Sequence, residues 1–258
     1  MDKAHDSSTN SSAPAEGTQA PVPILVEKGQ DPRVLVIAFT GFKGGMTMSA
    51  FDFLAVTKLS NYSRILTLDT SRTCYLGGVP PLLKDYQALR EFLRENISKL
   101  APEKIICVGA SSGAFATLLL GHELKVDYVH AFSPFTYVDR ENVDKYQDPD
   151  GYGRQAEAFA RIQALPQEMH AYFDLRPVLM QHNGNTRYYL HVCRNSPWDM
   201  LRSKHLKDCP GVLIIGYPCD HHGVAATLAR NNLLTDLLLL ENQEHVGRTL
   251  KEKIAGIS

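Results

Sequence analysis

Short apolar runs that alternate with longer amphipathic segments limit most strongly how this chain can fold. Each run is largely apolar at successive positions, which is expected for strands that are buried on both faces of a parallel sheet. The alternation therefore predicts an α/β fold with a mostly parallel central sheet and helices on both faces. The predicted strands are residues 34–39, 64–68, 104–108, 128–132, 187–192 and 212–216.

Helices are predicted between these strands. The clearest case spans residues 83–100, where apolar side chains recur at spacings of three and four and so define one face of a helix. These side chains are Leu83, Tyr86, Leu89, Phe92, Leu93, Ile97 and Leu100. Further helices are predicted at residues 50–59 and 114–120, and from residues 197 and 224 onward.

Residues 135–185 interrupt this rhythm. They contain charged segments and an Asp-Pro-Asp-Gly turn at residues 148–151, with helices predicted only at 154–165 and 175–180. We interpret the segment as a small helical insertion, a lid over one end of the sheet. Residues 1–22 are rich in small and polar residues and lack the apolar region of a secretory signal, so we expect a disordered tail before a single domain at 23–258.

Charge and hydropathy exclude several classes of partner. The chain has 27 basic and 28 acidic side chains, so no net field favours nucleic acid or an anionic membrane. Its apolar stretches are shorter than the roughly 18 to 20 residues of a membrane span. We therefore expect a small-molecule partner.

Five cysteines are spread along the chain without a Cys-x-x-Cys pair. This spacing indicates reduced thiols in a cytoplasmic protein, with Cys107 and Cys193 packed as small apolar residues. No cofactor or metal is expected. The glycines at residues 41–45 lack the Gly-Lys-Ser/Thr ending of a phosphate-binding loop, and the adjacent residues of Cys219-Asp220-His221-His222 are poorly spaced for a metal.

The motif Gly109-Ala110-Ser111-Ser112-Gly113 follows a predicted strand and precedes a helix of small residues. A serine nucleophile must stand clear of the backbone, and a sharp strand-to-helix turn achieves this where small residues lie two positions to either side. The motif therefore indicates Ser111 as a nucleophile. Ser112 is an alternative because Ala110 and Ala114 are also small.

From residue 34 to the C-terminal helix, the sequence resembles the α/β-hydrolase superfamily of serine esterases and thioesterases. The resemblance implies a nucleophile, an acid and a histidine in that chain order, each on a loop after a strand. Asp199 follows the strand at 187–192, and His222 follows the strand at 212–216. They are the implied acid and base.

Alternatives remain for both partners. His221 competes with His222, which is favoured because His222-Gly223-Val224-Ala225 resembles the histidine loop of related hydrolases. Asp220 competes with Asp199 but lies too close in sequence to the histidines to approach from a separate loop. His130 and His191 fall inside predicted strands, where satisfied structural roles are expected.

The resemblance also implies an oxyanion hole made by two backbone N–H groups. One is expected from Ser112. The other is assigned to Phe42, with Lys43 as an alternative, because Thr40-Gly41-Phe42-Lys43 replaces the His-Gly segment of the family.

The predicted function is hydrolysis of an ester or thioester of a small acyl group through an acyl-enzyme. Two alternatives stay open: acyl transfer by the same triad, and a catalytically silent fold that binds a partner. The insertion is expected to contact the substrate. Its aromatic side chains, which pack within the lid or contact the ligand, are Tyr137, Tyr152, Phe159, Tyr172 and Phe173.

Overall fold

The protein is described from a computed structural model that covers residues 22–46, 48–57, 59–153, 155–181, 184–219, 222–231, 233–234 and 238. Within these residues, one sheet has the strand order β1-β3-β2-β4-β5-β6-β7. β1 is antiparallel to β3 and the other pairs are parallel. The strands are β1 Ile24–Glu27, β2 Asp31–Phe39, β3 Tyr62–Thr67, β4 Lys104–Ala110, β5 Tyr128–Phe132, β6 Arg187–Cys193 and β7 Val212–Tyr217.

All six predicted strands are present, and the predicted α/β class is confirmed. β1 was not predicted because it has only four residues and lies at the edge of the sheet. Its residues are only partly buried, so the strand does not need a continuous apolar run.

Helices cover both faces of the sheet. Alternate residues of β2 enter different cores: Leu35, Ile37 and Phe39 join one cluster, and Val36 and Ala38 join the other. This alternation explains why the strand is apolar at every position. The helices outside the insertion are α1 Ala50–Val56, α2 Tyr86–Leu100, α3 Ser112–Glu123, α8 Pro197–His205 and α9 Val224–Arg230.

The start of α2 shows how a side chain sets a boundary. The helix was predicted from residue 83, but the Asp85 carboxylate accepts a hydrogen bond from the Ala88 N–H and caps the helix two residues later. At the other end Ala101 adopts a left-handed conformation that stops the helix.

The insertion lies between β5 and β6. The two helices predicted in it are present, although both are shorter than expected. Three short elements were not predicted, because helices of one or two turns carry little periodicity. The insertion contains α4 Arg140–Tyr146, α5 Pro149–Tyr152, α6 Ala156–Gln163, a 3-10 helix Gln167–Tyr172 and α7 Leu175–Leu179.

Residues 1–21 lie outside the described residues, and so does nearly all of the predicted tail at 1–22. Among the helices that are described, none is both long enough and apolar enough to cross a membrane.

Candidate active site

Ser111 occupies the sharp turn between β4 and α3. Its φ of 56° and ψ of −119° lie in a region that non-glycine residues rarely adopt. The Ser111 N–H donates to the Phe132 carbonyl at 2.9 Å, and its carbonyl accepts from the Phe135 N–H at 3.3 Å. Neighbouring backbone therefore holds the serine in this conformation.

The two glycines of the motif are required by close packing. A Cβ on Gly113 would overlap the Phe39 carbonyl oxygen and lie 2.6 Å from the Thr40 carbonyl oxygen. A Cβ on Gly109 would overlap the Thr117 hydroxyl and approach the Gly113 carbonyl oxygen at 2.5 Å. The turn can therefore form only when both positions lack a side chain.

Ser112 differs from Ser111 in exposure. Its side chain is fully buried, and its hydroxyl makes no hydrogen bond with the described residues. Ser111 lines a large cleft, whereas Ser112 is not among the residues lining it. This difference favours Ser111 over Ser112 as the reacting hydroxyl.

Asp199 lies in the first turn of α8, on the loop that follows β6. The Ser196 hydroxyl caps this helix by accepting from the Asp199 N–H at 3.4 Å. One Asp199 oxygen, Oδ1, is 2.8 Å from Nδ1 of His222, which follows β7. The carboxylate is buried while the His222 side chain is 43% exposed, so the imidazole reaches from a buried acid toward the cleft.

Ser133 completes the environment of this acid. Its hydroxyl donates to Asp199 Oδ2 at 2.6 Å, and its own N–H donates to the His191 carbonyl at 2.8 Å. A hydroxyl donor satisfies one oxygen of a buried carboxylate and fixes its plane. Ser133 was not predicted, and its position just after a strand was the only available signal.

Asp220 and His221, the competing acid and base, lie outside the described residues. His222 is described, and it is paired with Asp199.

The loop after β2 lies directly against the nucleophile. A Cβ built on Gly41 would lie 3.6 Å from the Ser111 Cβ. The Gly41 N–H already donates to the Gly45 carbonyl at 2.9 Å. Phe42 and Lys43 follow Gly41 in the same loop and line the cleft, so both expected sources of the second oxyanion donor adjoin the glycine that packs against Ser111.

Tyr75 connects the start of this loop to the end of β3. Its fully buried hydroxyl lies 2.8 Å from the Thr67 carbonyl and 3.1 Å from the Thr40 carbonyl. Burial raises the pKa of Tyr75, so the phenol stays protonated and keeps its donor. Tyr75 was not predicted, because its partners Thr40 and Thr67 lie at the carboxyl ends of β2 and β3, which only the fold brings beside it.

One cleft brings these groups together. Its volume is about 940 Å³, and its wall contains Ser111, Asp199 and His222. The Phe42 and Phe135 rings, 6.0 Å apart, form an aromatic wall near the nucleophile. The other lining residues are Gly41, Lys43, Gly44, Gly45, Met48, Ser49, Ala110, Asp150, Gln155, Ser196, Pro197, Trp198, Arg202 and Gly223.

The insertion contributes to this cleft through Phe135, Asp150 and Gln155. The five aromatic residues expected there are not among the lining residues. Three are buried in the lid (Tyr137, Phe159, Phe173), Tyr172 is partly buried, and Tyr152 is exposed. The buried rings therefore pack within the lid, whereas Tyr152 lies at the surface and outside the lining of the cleft.

A buried ion cluster joins the insertion to α8. Arg202 is 1% exposed, and its guanidinium makes a bidentate pair with Asp148, at 2.8 and 2.5 Å, and a further contact to Asp150 at 2.9 Å. Burial opposes the charge on Arg202, but hydrogen bonds to the two carboxylates outweigh it and raise the pKa of Arg202. Because Arg202 lies one turn after Asp199, the cluster fixes the lid against the helix that carries the acid.

Cys193 and Cys219 form a disulfide. The expectation that all five thiols are reduced is therefore wrong for these two, and Cys193 is not a simple core thiol. Sequence could not show the pair, because the two residues come together only when β6 and β7 align. The remaining three, Cys74, Cys107 and Cys209, are free and buried, as expected for Cys107. Disulfides are typical of oxidising compartments, so the cysteines no longer support a cytoplasmic location.

His130 and His191 lie in strands, as expected, and pair through Nδ1 and Nε2 at 3.0 Å. His191 Nδ1 is 2.9 Å from the Tyr217 hydroxyl. The expectation of satisfied histidines is only partly correct, because His130 Nε2 is buried without a partner among the described residues. Burial lowers the pKa of His130 to about 3 and that of His191 well below its usual value, so both rings are neutral.

Comparison with solved structures identifies the fold. The chain is similar to the α/β hydrolase MGS-MChE2 from a lagoon-sediment metagenome, with 14% identity over 92% of this chain and 99% of that one and a TM-score of 0.52. It is similar to the capsule O-acetyltransferase of Neisseria meningitidis serogroup A, with 15% identity, 83% and 89% coverage and a TM-score of 0.57. A lipase-esterase related protein of Clostridium acetobutylicum has 14% identity, 80% and 96% coverage and a TM-score of 0.50.

No protein-family model and no curated protein sequence matches the chain. The structural similarities nevertheless support the predicted fold class. The chain has the α/β-hydrolase fold, as its sequence predicted.

Proposed function

We propose that this chain is a serine hydrolase that cleaves an ester or thioester of a small acyl group. Ser111 is the nucleophile, His222 the general base and Asp199 the acid that orients the imidazole. One observation carries the proposal: the strained serine and the His222–Asp199 pair line the same cleft. In this arrangement a weak nucleophile can be activated by a base, which is itself oriented by an acid.

The chemistry follows from the atoms available. The Ser111 hydroxyl oxygen attacks the acyl carbon while His222 Nε2 takes its proton. The leaving alcohol or thiol departs with that proton, and an acyl-enzyme remains. Water then gives a proton to the same nitrogen and attacks the acyl carbon. As the acid leaves, the imidazolium returns this proton to the Ser111 oxygen, which restores the serine hydroxyl. The Asp199 carboxylate stabilises the imidazolium formed in each half of the cycle.

The tetrahedral intermediates need donors for their oxyanion. We assign the Ser112 N–H, at the N-terminus of α3, and the Phe42 N–H in the loop after β2. Two contacts support this assignment: Gly41 packs against Ser111, and Gly113 packs against the Phe39 and Thr40 carbonyls. They hold the loop and the helix terminus side by side.

The cleft indicates the size and nature of the substrate. A volume of about 940 Å³ accommodates a small organic molecule. The Phe42 and Phe135 rings next to Ser111 favour an apolar acyl group, whereas Asp150, Gln155 and Arg202 make the insertion side polar.

The proposal is tested by turnover of p-nitrophenyl esters with acyl chains of two to eight carbons. We expect wild-type protein to release p-nitrophenol and Ser111→Ala to lose at least about 10³-fold in kcat while remaining folded. Ser203→Ala is the matched control, since it removes a buried serine hydroxyl of α8 whose partner among the described residues is the Met200 carbonyl of the same helix. Equal turnover by wild type and Ser111→Ala contradicts the proposal. If only Ser112→Ala loses turnover, Ser112 is the nucleophile instead of Ser111.

The acyl-enzyme could also pass its acyl group to an alcohol. Including a primary alcohol in the same assay and measuring the transferred ester separates hydrolysis from acyl transfer. Free acid as the main product supports hydrolysis.

A further inference from the structure

The Cys193–Cys219 disulfide lies between the two loops that carry the acid and the base. Cys193 is the last residue of β6, six residues before Asp199. Cys219 follows β7 and precedes His222 by three residues. The bridge therefore links the two loops covalently at the edge of the sheet where the cleft opens.

Backbone hydrogen bonds connect the bridge to Asp199. The Cys193 carbonyl accepts from the Ser196 N–H at 3.1 Å, and Ser196 caps the helix in whose first turn Asp199 lies. The Cys219 carbonyl accepts from the Asn195 N–H at 3.1 Å. A shift of Cys219 relative to Cys193 would therefore move the cap of α8 as well as the histidine loop.

On the other side, the path from the bridge to His222 is only three residues long. The histidine side chain is 43% exposed, and its Nδ1 lies 2.8 Å from Asp199 Oδ1. Among the described residues, the Asp199 carboxylate is the hydrogen-bond partner that holds the imidazole. Its position thus depends on how firmly the loop after β7 is tied to the loop after β6.

We propose that the Cys193–Cys219 disulfide is a positioning element of the catalytic site, and that its opening lowers turnover by loosening His222 from Asp199. The inference rests on the function proposed above. A dithiol such as dithiothreitol can reduce the Cys193–Cys219 disulfide. The dithiol gives up two electrons and two protons and becomes a disulfide, and the two cysteine sulfurs become thiols. Misplacing a general base by about 1 Å can cost up to roughly 100-fold in rate.

The test compares kcat and KM of closed and open forms with the same p-nitrophenyl ester. The open forms are wild type treated with dithiothreitol and the double variant Cys193→Ala/Cys219→Ala. Alanine is chosen because a serine hydroxyl would be buried without a partner at position 193. We expect kcat to fall about tenfold or more while KM stays within twofold, and reoxidation of the treated wild type to restore kcat.

Cys209→Ala is the matched control. Cys209 is a buried free cysteine just before β7, at the opposite end of the strand from Cys219. We expect this variant to keep its kcat within twofold and to show the same loss of kcat with dithiothreitol as the wild type.

A double-mutant cycle separates positioning from general destabilisation. In an Asp199→Ala background there is no carboxylate for His222 to be aligned with, so opening the bridge should change kcat less than twofold further. Equal losses in both backgrounds would overturn the inference.

The two proposals fail in different ways. If a fluorophosphonate labels Ser111 and the open forms keep their kcat within twofold, the positioning role is wrong and the hydrolase proposal stands. If the folded closed form neither reacts with the probe nor turns over an ester, both are overturned.

Discussion

The turn that carries Ser111 and the loops that carry Asp199 and His222 meet in one cleft but are held by different forces. The turn is held by steric fit: Gly109 and Gly113 allow backbone and side chains to approach where a Cβ would collide. The acid and histidine loops are held by polar and covalent links, through Ser133, the Ser196 cap and the Cys193–Cys219 bridge. A local geometry is thus fixed by small residues, whereas two loops distant in sequence are fixed by specific partners.

The largest expected effect comes from the acid and histidine loops, which are held by polar and covalent links. Asp199→Ala removes the group that orients and stabilises the imidazole, and we expect kcat to fall about 10⁴-fold. Asp199→Asn should lose less, about 10²-fold, because the Ser133 hydroxyl can accept from the amide NH₂ and leave the amide oxygen toward His222. Steady-state kinetics check both values. Combining Asp199→Asn with Ser133→Ala should remove this advantage, and an equal kcat for Asn and Ala variants would contradict the role given to Ser133.

The close packing of the turn that carries Ser111 is tested by the free energy of unfolding. Gly113→Ala places a Cβ against the Phe39 and Thr40 carbonyl oxygens, which cannot move without breaking the sheet. We expect the free energy of unfolding to fall by about 3 kcal/mol. Gly44→Ala is the control, since no atom lies within 4 Å of its built Cβ and only its φ of 73° opposes alanine. That variant should lose about 1 kcal/mol in urea unfolding. Similar losses in both would show that the turn is not held by packing.

This contrast also explains how much could be predicted from sequence. The strands and Ser111 were predicted because apolar runs and the glycine motif are local patterns. Asp199 and His222 were reached through the chain order of a known fold. Ser133, Tyr75 and the disulfide were missed, since each involves a partner at least 26 residues away in sequence. No short pattern records such a pairing.

The last expected effect concerns the pH dependence of stability and arises from the buried histidines beside the polar loops. Burial lowers the pKa of His130 to about 3 and that of His191 well below its usual value. Below pH 6.5 the unfolded chain therefore binds more protons than the folded one, so stability is retained above pH 6.5 and lost as the pH falls. We expect the free energy of urea unfolding to stay nearly level between pH 7.5 and 6.5 and to fall as the pH is lowered from 6.5 to 5.0.

His130→Phe, which keeps the ring stack with Tyr189, should reduce this slope by about half. His170→Gln, at an exposed position, serves as the control and should keep the full slope. An unchanged slope in His130→Phe would contradict the neutral, buried state of that ring.

Reaction with a fluorophosphonate probe, followed by intact mass measurement and peptide mapping, tests most directly whether Ser111 is an activated nucleophile. We predict one probe per chain, attached to Ser111, no labelling of Ser111→Ala, and much slower labelling of Asp199→Ala. A folded chain that takes up no probe, or that is labelled on another residue, would contradict the catalytic role of Ser111.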